Sequence, residues 1–280
     1  MASSMRIPSL TRGLLAACLV ACGSSTPEPT VPPAVQAASV QATGTNAVAS
    51  PGPVGETARA VVAAPDRAED DKKLDAGRHP AELLSFFHIA PGMKVAEVGA
   101  GRGYTAELLA RAVGPTGVVY GQNSPGILQR FAEKPWSERL SKPVMKNVVR
   151  VDREFDDPLP PEAHDLDAVF DVLFYHDTVW LNVDRDKMNA AIFKALKHGG
   201  EYAIVDHSAK AGTGGNDAKT FHRIDENFLR AEVEKAGFRL RAQADFLRNP
   251  KDTRDWNDSP SAAAERRGTS DRFVLAFVKP

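Results

Sequence analysis

The run Met93-Lys-Val-Ala-Glu-Val-Gly-Ala-Gly-Arg-Gly103, followed by Tyr104 to Val113, constrains this chain more than any other part of it. An apolar segment of strand length enters a glycine cluster, and ten residues with apolar side chains at helical spacing leave it. Strand, glycine turn and helix together form the opening half of a βαβ crossover, which calls for a parallel sheet with helices packed on it. The rest of the chain continues the alternation. Strand patterns fall at 118–120, 148–151, 166–174 and 201–205, and helix patterns at 80–87, 188–196 and 226–236. Segments 238–246 and 273–278 read as a closing antiparallel pair. The expected fold class is α/β, a Rossmann-like doubly wound and mostly parallel sheet of about seven strands with a terminal antiparallel hairpin. In such sheets ligands sit beyond the carboxyl ends of the strands.

Glycine lets the backbone turn sharply and approach a ligand with no Cβ in the way. A dinucleotide fingerprint would place Gly or Ala where this chain has Tyr104, and an acid at the end of the second strand, where Gly121-Gln122-Asn123 stands. Both departures argue against a nicotinamide oxidoreductase. The cluster Glu97-Val98-Gly99-Ala100-Gly101-Arg102-Gly103 instead resembles motif I of the class I S-adenosylmethionine-dependent methyltransferases. The resemblance runs from about Asp75 to Pro280, through Leu196-Lys-His-Gly-Gly200, Val205-Asp-His-Ser-Ala-Lys210 and Arg272-Phe-Val-Leu275, and extends to a group of uncharacterised predicted methyltransferases. It implies S-adenosylmethionine as cofactor, with Gly99, Ala100, Gly101 and Gly103 around its amino-acid and ribose portions and Glu97 organising its ammonium. The family's ribose-chelating acid at the end of strand two is missing. Gln122 or Asn123 would take its place through a carboxamide that both donates and accepts, or the two form a solvated turn. Asp152 matches the family's polar contact to the adenine amino group, or serves as a loop cap.

Two strand ends carry candidate chemistry. Tyr175-His176-Asp177 follows strand four, and Asp206-His207-Ser208 follows strand five. His176 and Asp177 are the expected catalytic residues, because histidine titrates near neutrality and an adjacent carboxylate orients the ring. His207 and His222 read as structural or loop residues. Convergence of His176, His207 and His222 with Asp177 and Asp206 would make a metal site, but no close ligand spacing supports it and no metal is assigned. The glycine-rich segment 211–216 is either a lid or a plain surface loop.

The N-terminus carries a different signal. Arg6 and Arg12 precede the short apolar run 13–22, which ends in Leu19-Val20-Ala21-Cys22. This reads as a secretory signal resembling a bacterial lipobox, with cleavage before Cys22 and a lipid anchor on it. Residues 1–21 are then the lipoprotein signal peptide, 22–65 a disordered Pro- and Ala-rich tether, and 66–280 the methyltransferase-like domain. Gly23 after the cysteine points to the outer membrane where a cell has one. Both cysteines of the chain lie in this leader, so the folded region must stand on its apolar core. A formal net charge of -1 with no basic stripe offers nothing to nucleic acid; on the methyltransferase resemblance the expected partner is a small-molecule acceptor whose identity the sequence does not reveal. Export sits awkwardly with a cytoplasmic cofactor, so a non-catalytic envelope ligand-binding or scaffold module is the competing expectation.

Overall fold

The computed structural model describes residues 53–280. The expected signal peptide, Cys22 as the expected lipid site and most of the expected tether lie outside the described residues.

Apolar strand patterns and the glycine and proline stops between them produce the following order. Three helices open it, α1 (Glu56–Val62), α2 (Glu69–Arg78) and α3 (Pro80–Phe86). Then come β1 (Lys94–Val98), α4 (Tyr104–Val113), β2 (Val118–Asn123), α5 (Pro125–Ile127), a π turn Leu128–Ala132, α6 (Glu133–Leu140), β3 (Val148–Asp152) and β4 (Leu166–Val172). The second half holds α7 (Tyr175–Trp180), α8 (Arg185–Ala195), β5 (Leu196–His207), α9 (Ala218–Phe221), α10 (Glu226–Lys235), β6 (Arg239–Ala244) and β7 (Arg272–Val278).

The seven strands form one sheet in the order β3-β2-β1-β4-β5-β7-β6. β3, β2, β1, β4 and β5 run parallel, and β7 pairs antiparallel with both β5 and β6. The doubly wound sheet and its closing antiparallel pair are as the alternation of patterns requires. Strand order reverses between β1 and β4, so the switch point lies beyond Val98 and Val172.

Alternation along each strand divides the core between the two faces. Val95, Phe170, Ala203 and Val205 pack on one face with Leu84, Ala106 and Leu109. Ala96, Val98, Val169, Tyr202 and Ile204 pack on the other with Tyr175, Met188 and Leu229. Glu97 therefore shares a face with Val95, on the α4 side, whereas Asp171 and Asp206 share the opposite face with Val169 and Ile204.

One boundary needs correction. Residues 53–65, assigned by composition to the tether, contain α1, whose Ala58 and Val61 are buried in the core. Alanine and valine are what a tether of low complexity and a small core-facing helix have in common, so composition could not separate them. α2 is held differently. It buries no residue and is attached by Asp71 to Arg139 at 2.6 Å and by Asp75 to Arg67 at 2.6 Å and Tyr104 Oη–H at 2.6 Å.

Candidate active site

The glycine turn at the end of β1 has its three glycines at positive φ, but they serve different ends. A Cβ on Gly99 would lie 2.3 Å from the Phe174 ring, and one on Gly103 would lie 2.3 Å from Trp136. Aromatic packing and the positive φ together require glycine at those two. At Gly101, where φ is 56°, a Cβ would meet only the Gly99 carbonyl oxygen at 3.9 Å, so this is the glycine facing open space. Ala100 is buried and donates its N–H to the Gln122 carbonyl at 2.8 Å.

Gln122 and Asn123 require a correction. Both are fully buried, which excludes the solvated turn. Asn123 Oδ1 accepts from Gly101 N–H at 2.7 Å while its Nδ2 donates to Gly101 O at 3.1 Å. Gln122 Oε1 accepts from Gly99 N–H at 3.1 Å and its Nε2 donates to Arg153 O at 2.6 Å. One N–H and one acceptor contact of each carboxamide thus go to backbone and brace the turn, a use of donor and acceptor capacity that β-sheet register, placing β2 beside β1, brings about. Asp152 is exposed on edge strand β3 and bound to Arg150 at 2.9 Å.

Glu97 is buried, with Oε2 lacking a hydrogen-bond partner. Burial pushes its pKa up to about 8, against the opposing influence of Thr105 and the Arg78 guanidinium. A buried carboxyl group with an orphaned oxygen gains a partner, and its ionised form is favoured, when a cation is placed beside it. A small cavity of about 20 Å³ lies on the same side, lined by Arg78, Tyr104, Thr105, Leu173 and Arg272 among others.

The second cluster lies on the opposite face, at the ends of β4 and β5. The chain leaves β4 through Leu173 at φ 60°, a left-handed conformation that a leucine adopts only under constraint, and this turn places Phe174 on Gly99 and starts α7. Asp206, the penultimate residue of β5, then receives His176 twice. Its Oδ1 lies 2.6 Å from ring Nδ1 and its Oδ2 accepts the His176 backbone N–H at 2.7 Å. The other ring nitrogen, Nε2, lies 3.2 Å from Asp177 Oδ1 and 3.3 Å from His222 Nδ1, and these last two atoms are 3.3 Å apart. Asp177 Oδ1 also accepts the Trp180 indole N–H at 2.7 Å.

Burial disfavours charge on His176, yet the Asp206 and Asp177 carboxylates outweigh it and hold the imidazole well above its usual pKa. Asp177 is half-buried, and although burial opposes it, His176, His222 and Trp180 keep it well below the carboxylate range. Asp171, neighbouring these groups from β4, has neither oxygen hydrogen-bonded, and burial, then Asp206, push its pKa well up. It was missed in the sequence because a carboxylate inside an apolar strand carries no local mark. His207 turns away to Ser270 at 2.9 Å and Asp258 at 2.5 Å, and burial lowers its pKa. The structure thus joins His176, Asp177 and His222, keeps Asp206 behind the ring and leaves His207 outside. Segment 211–216 is joined to the start of α10 through Gly212 N–H, which donates to Asp225 at 2.6 Å.

Residues 59–151 match the model of the protein-L-isoaspartate(D-aspartate) O-methyltransferase family. That match begins inside α1 and ends inside β3. The protein-L-isoaspartate O-methyltransferase of Methanothermobacter thermautotrophicus is 34% identical over 82 residues, covering 29% of this chain and only 38% of its own length. Among solved structures, a chain of the Haloferax volcanii complex containing the Trm112 methyltransferase activator superposes with a TM-score of 0.52 at 18% identity, over 80% of this chain and 98% of that one. A S-adenosylmethionine-dependent methyltransferase from Aquifex aeolicus gives 0.49 at 19% identity, over 75% and 100%.

Proposed function

We propose that this chain, whose fold is that of the class I S-adenosylmethionine-dependent methyltransferases, binds that cofactor at the glycine turn and transfers its methyl group to a small-molecule acceptor held beyond β4 and β5. One observation carries the reading. A glycine turn led by buried Glu97 stands at the switch point of the sheet, and the His176 cluster stands at the adjoining strand ends.

Methyl transfer from a sulfonium is an in-line displacement in which positive charge disappears, so the protein's task is alignment and exclusion of water. Gly101 admits the cofactor close to the backbone, and Glu97, once ionised, complements its ammonium. His176 and Asp177 act on the acceptor. The isoaspartate substrate of the matching relatives is not carried over, because the match ends at residue 151, before either strand that bears this cluster. Equilibrium dialysis against S-adenosylmethionine and S-adenosylhomocysteine, followed by methyl transfer to a panel of small hydroxyl, amine and carboxylate acceptors, tests the reading. Binding of neither ligand would sink it.

A second reading, a ligand-binding or scaffold module without catalysis, is favoured by Phe174 lying on Gly99 and by the engaged amides of Gln122 and Asn123. Cofactor binding without turnover of any acceptor would support it. For location, the proposal is a bacterial envelope protein anchored through a lipid on Cys22, facing the periplasm from the outer membrane where there is one. Globomycin treatment should accumulate an unprocessed precursor, and an unchanged pattern would remove the lipid anchor.

A further inference from the structure

We propose that His176, Asp177 and His222 form a three-ligand site for a divalent zinc-type ion with an open coordination position, at the acceptor end of the fold. Three potential ligand atoms converge here: His176 Nε2, Asp177 Oδ1 and His222 Nδ1, with separations of 3.2, 3.3 and 3.3 Å. Asp206 holds His176 at Nδ1, which leaves Nε2 as the ring nitrogen facing the other two atoms, where a bound cation takes the place of its proton. A single proton can bridge one side of such a triangle and leaves the remaining lone pair facing two others. A dication serves all three together. The centre of a triangle of this size lies about 1.9 Å from each corner, so an ion at the usual zinc to nitrogen or oxygen distance of about 2.0–2.2 Å rests just above its plane.

The surroundings have the form of a metal site's outer layer. Asp206 grips the far nitrogen of His176, and Trp180 donates its indole N–H to Asp177 at 2.7 Å. His176 is buried, whereas His222 and Asp177 are each 23% exposed at the side chain, so the free position faces outward past them. Two imidazoles and one carboxylate are poor partners for magnesium or calcium, which take oxygen donors, and lack the thiolates of closed structural zinc sites. Three ligands with the fourth position free is the arrangement that keeps a place for an exogenous oxygen donor. On the methyltransferase reading, that donor is the acceptor, so the expected acceptor class carries a hydroxyl or carboxylate oxygen. Metal uptake itself does not rest on that reading. Sequence spacing could not indicate the site, because His222 reaches it from 46 residues away through the left-handed cap of α9, at φ 52°.

The experiment uses the full chain stripped with EDTA and titrated with Co²⁺ by absorbance and with Zn²⁺ by calorimetry. One equivalent of each should bind, and Co²⁺ should develop d–d bands. His222→Ala and Asp177→Asn should weaken binding by about 100-fold or more, while His198→Ala, at the opposite end of β5, should leave it unchanged. His222→Gln replaces His222→Ala if circular dichroism shows that the alanine variant does not fold. Absence of d–d bands and of stoichiometric Zn²⁺ uptake in the wild type overturns the site, as does wild-type affinity in a folded His222 variant. S-adenosylmethionine dialysis on the same preparations separates the two readings. Metal uptake without cofactor binding refutes only the methyltransferase reading, and cofactor binding without metal uptake refutes only the metal site.

Discussion

Asp206 holds His176 at two points, ring Nδ1 at 2.6 Å and backbone N–H at 2.7 Å, so that one carboxylate at the end of β5 sets both where α7 begins and how the imidazole is turned. Both residues are buried, Asp206 completely. Removing one member of a buried charged pair leaves the other without compensation, at a cost of about 3–5 kcal/mol. Asp206→Ala should therefore lower the urea midpoint steeply. Asp206→Asn keeps an acceptor for Nδ1–H and should recover part of that loss, while His176, monitored by its ring ¹⁵N shifts, titrates at lower pH than in the wild type.

Glu97 makes stability and cofactor affinity move in opposite directions with pH. Its pKa rises from 4.5 to about 8 on folding. Stability from the protonated form is complete below 4.5 and is lost as pH climbs through 8, on the order of a few kcal/mol in all. A cationic cofactor needs the ionised form, so S-adenosylmethionine affinity should climb over the same interval by up to about tenfold per unit. Chemical denaturation and dialysis between pH 5 and 9 measure the two trends. In Glu97→Gln both should be much flatter, and a wild-type slope of affinity in that variant would remove Glu97 from the cofactor site.

Two alanine substitutions separate glycines that look alike in sequence. Gly99→Ala should cost stability through collision with the Phe174 ring, about 1–3 kcal/mol beyond the conformational penalty of its positive φ. Gly101→Ala pays only the left-handed penalty of about 1–2 kcal/mol, yet its methyl occupies the open side of the turn. The expected outcome is a modest fall in melting temperature with a disproportionate loss of cofactor affinity. Equal affinity in Gly101→Ala and wild type would show that no ligand approaches there.

Asn123→Asp tests the brace on the glycine turn. Aspartate still accepts from Gly101 N–H but cannot donate to Gly101 O, and it places a buried charge beside that carbonyl. A loss of about 1–3 kcal/mol in urea denaturation is expected. Gain of cofactor affinity by this variant would mean that the position serves a ribose better than it serves the turn.

Val61→Ala tests whether α1 belongs to the folded unit. Val61 is buried in the core beside Ala58, so truncation should cost about 1–3 kcal/mol, against almost nothing if residues 53–65 were a tether.

Legibility in the sequence followed the range of the interactions. β1, its glycine turn and α4 were readable because periodicity and glycine are local signals, and the closing β6–β7 pair was readable for the same reason. α1 was hidden, since its alanines and valines match the composition of the segment before it. α7 was hidden as well, being six residues long and set by the Leu173 turn. Among site residues, Glu97 and His176 were marked by motif and strand end, but the engagement of Gln122 and Asn123 and the surface pairing of Asp152 depend on neighbours across strands.

By itself the sequence determined the alternation of strands and helices, the glycine turn behind Glu97 and the ends of strands four and five as places for chemistry, because each is written within a few consecutive residues. Only the tertiary structure decided which side chains meet. His222 joins His176 and Asp177, His207 departs toward Asp258, and Asn123 closes on Gly101, because strand register and left-handed turns bring together residues that no sequence spacing connects.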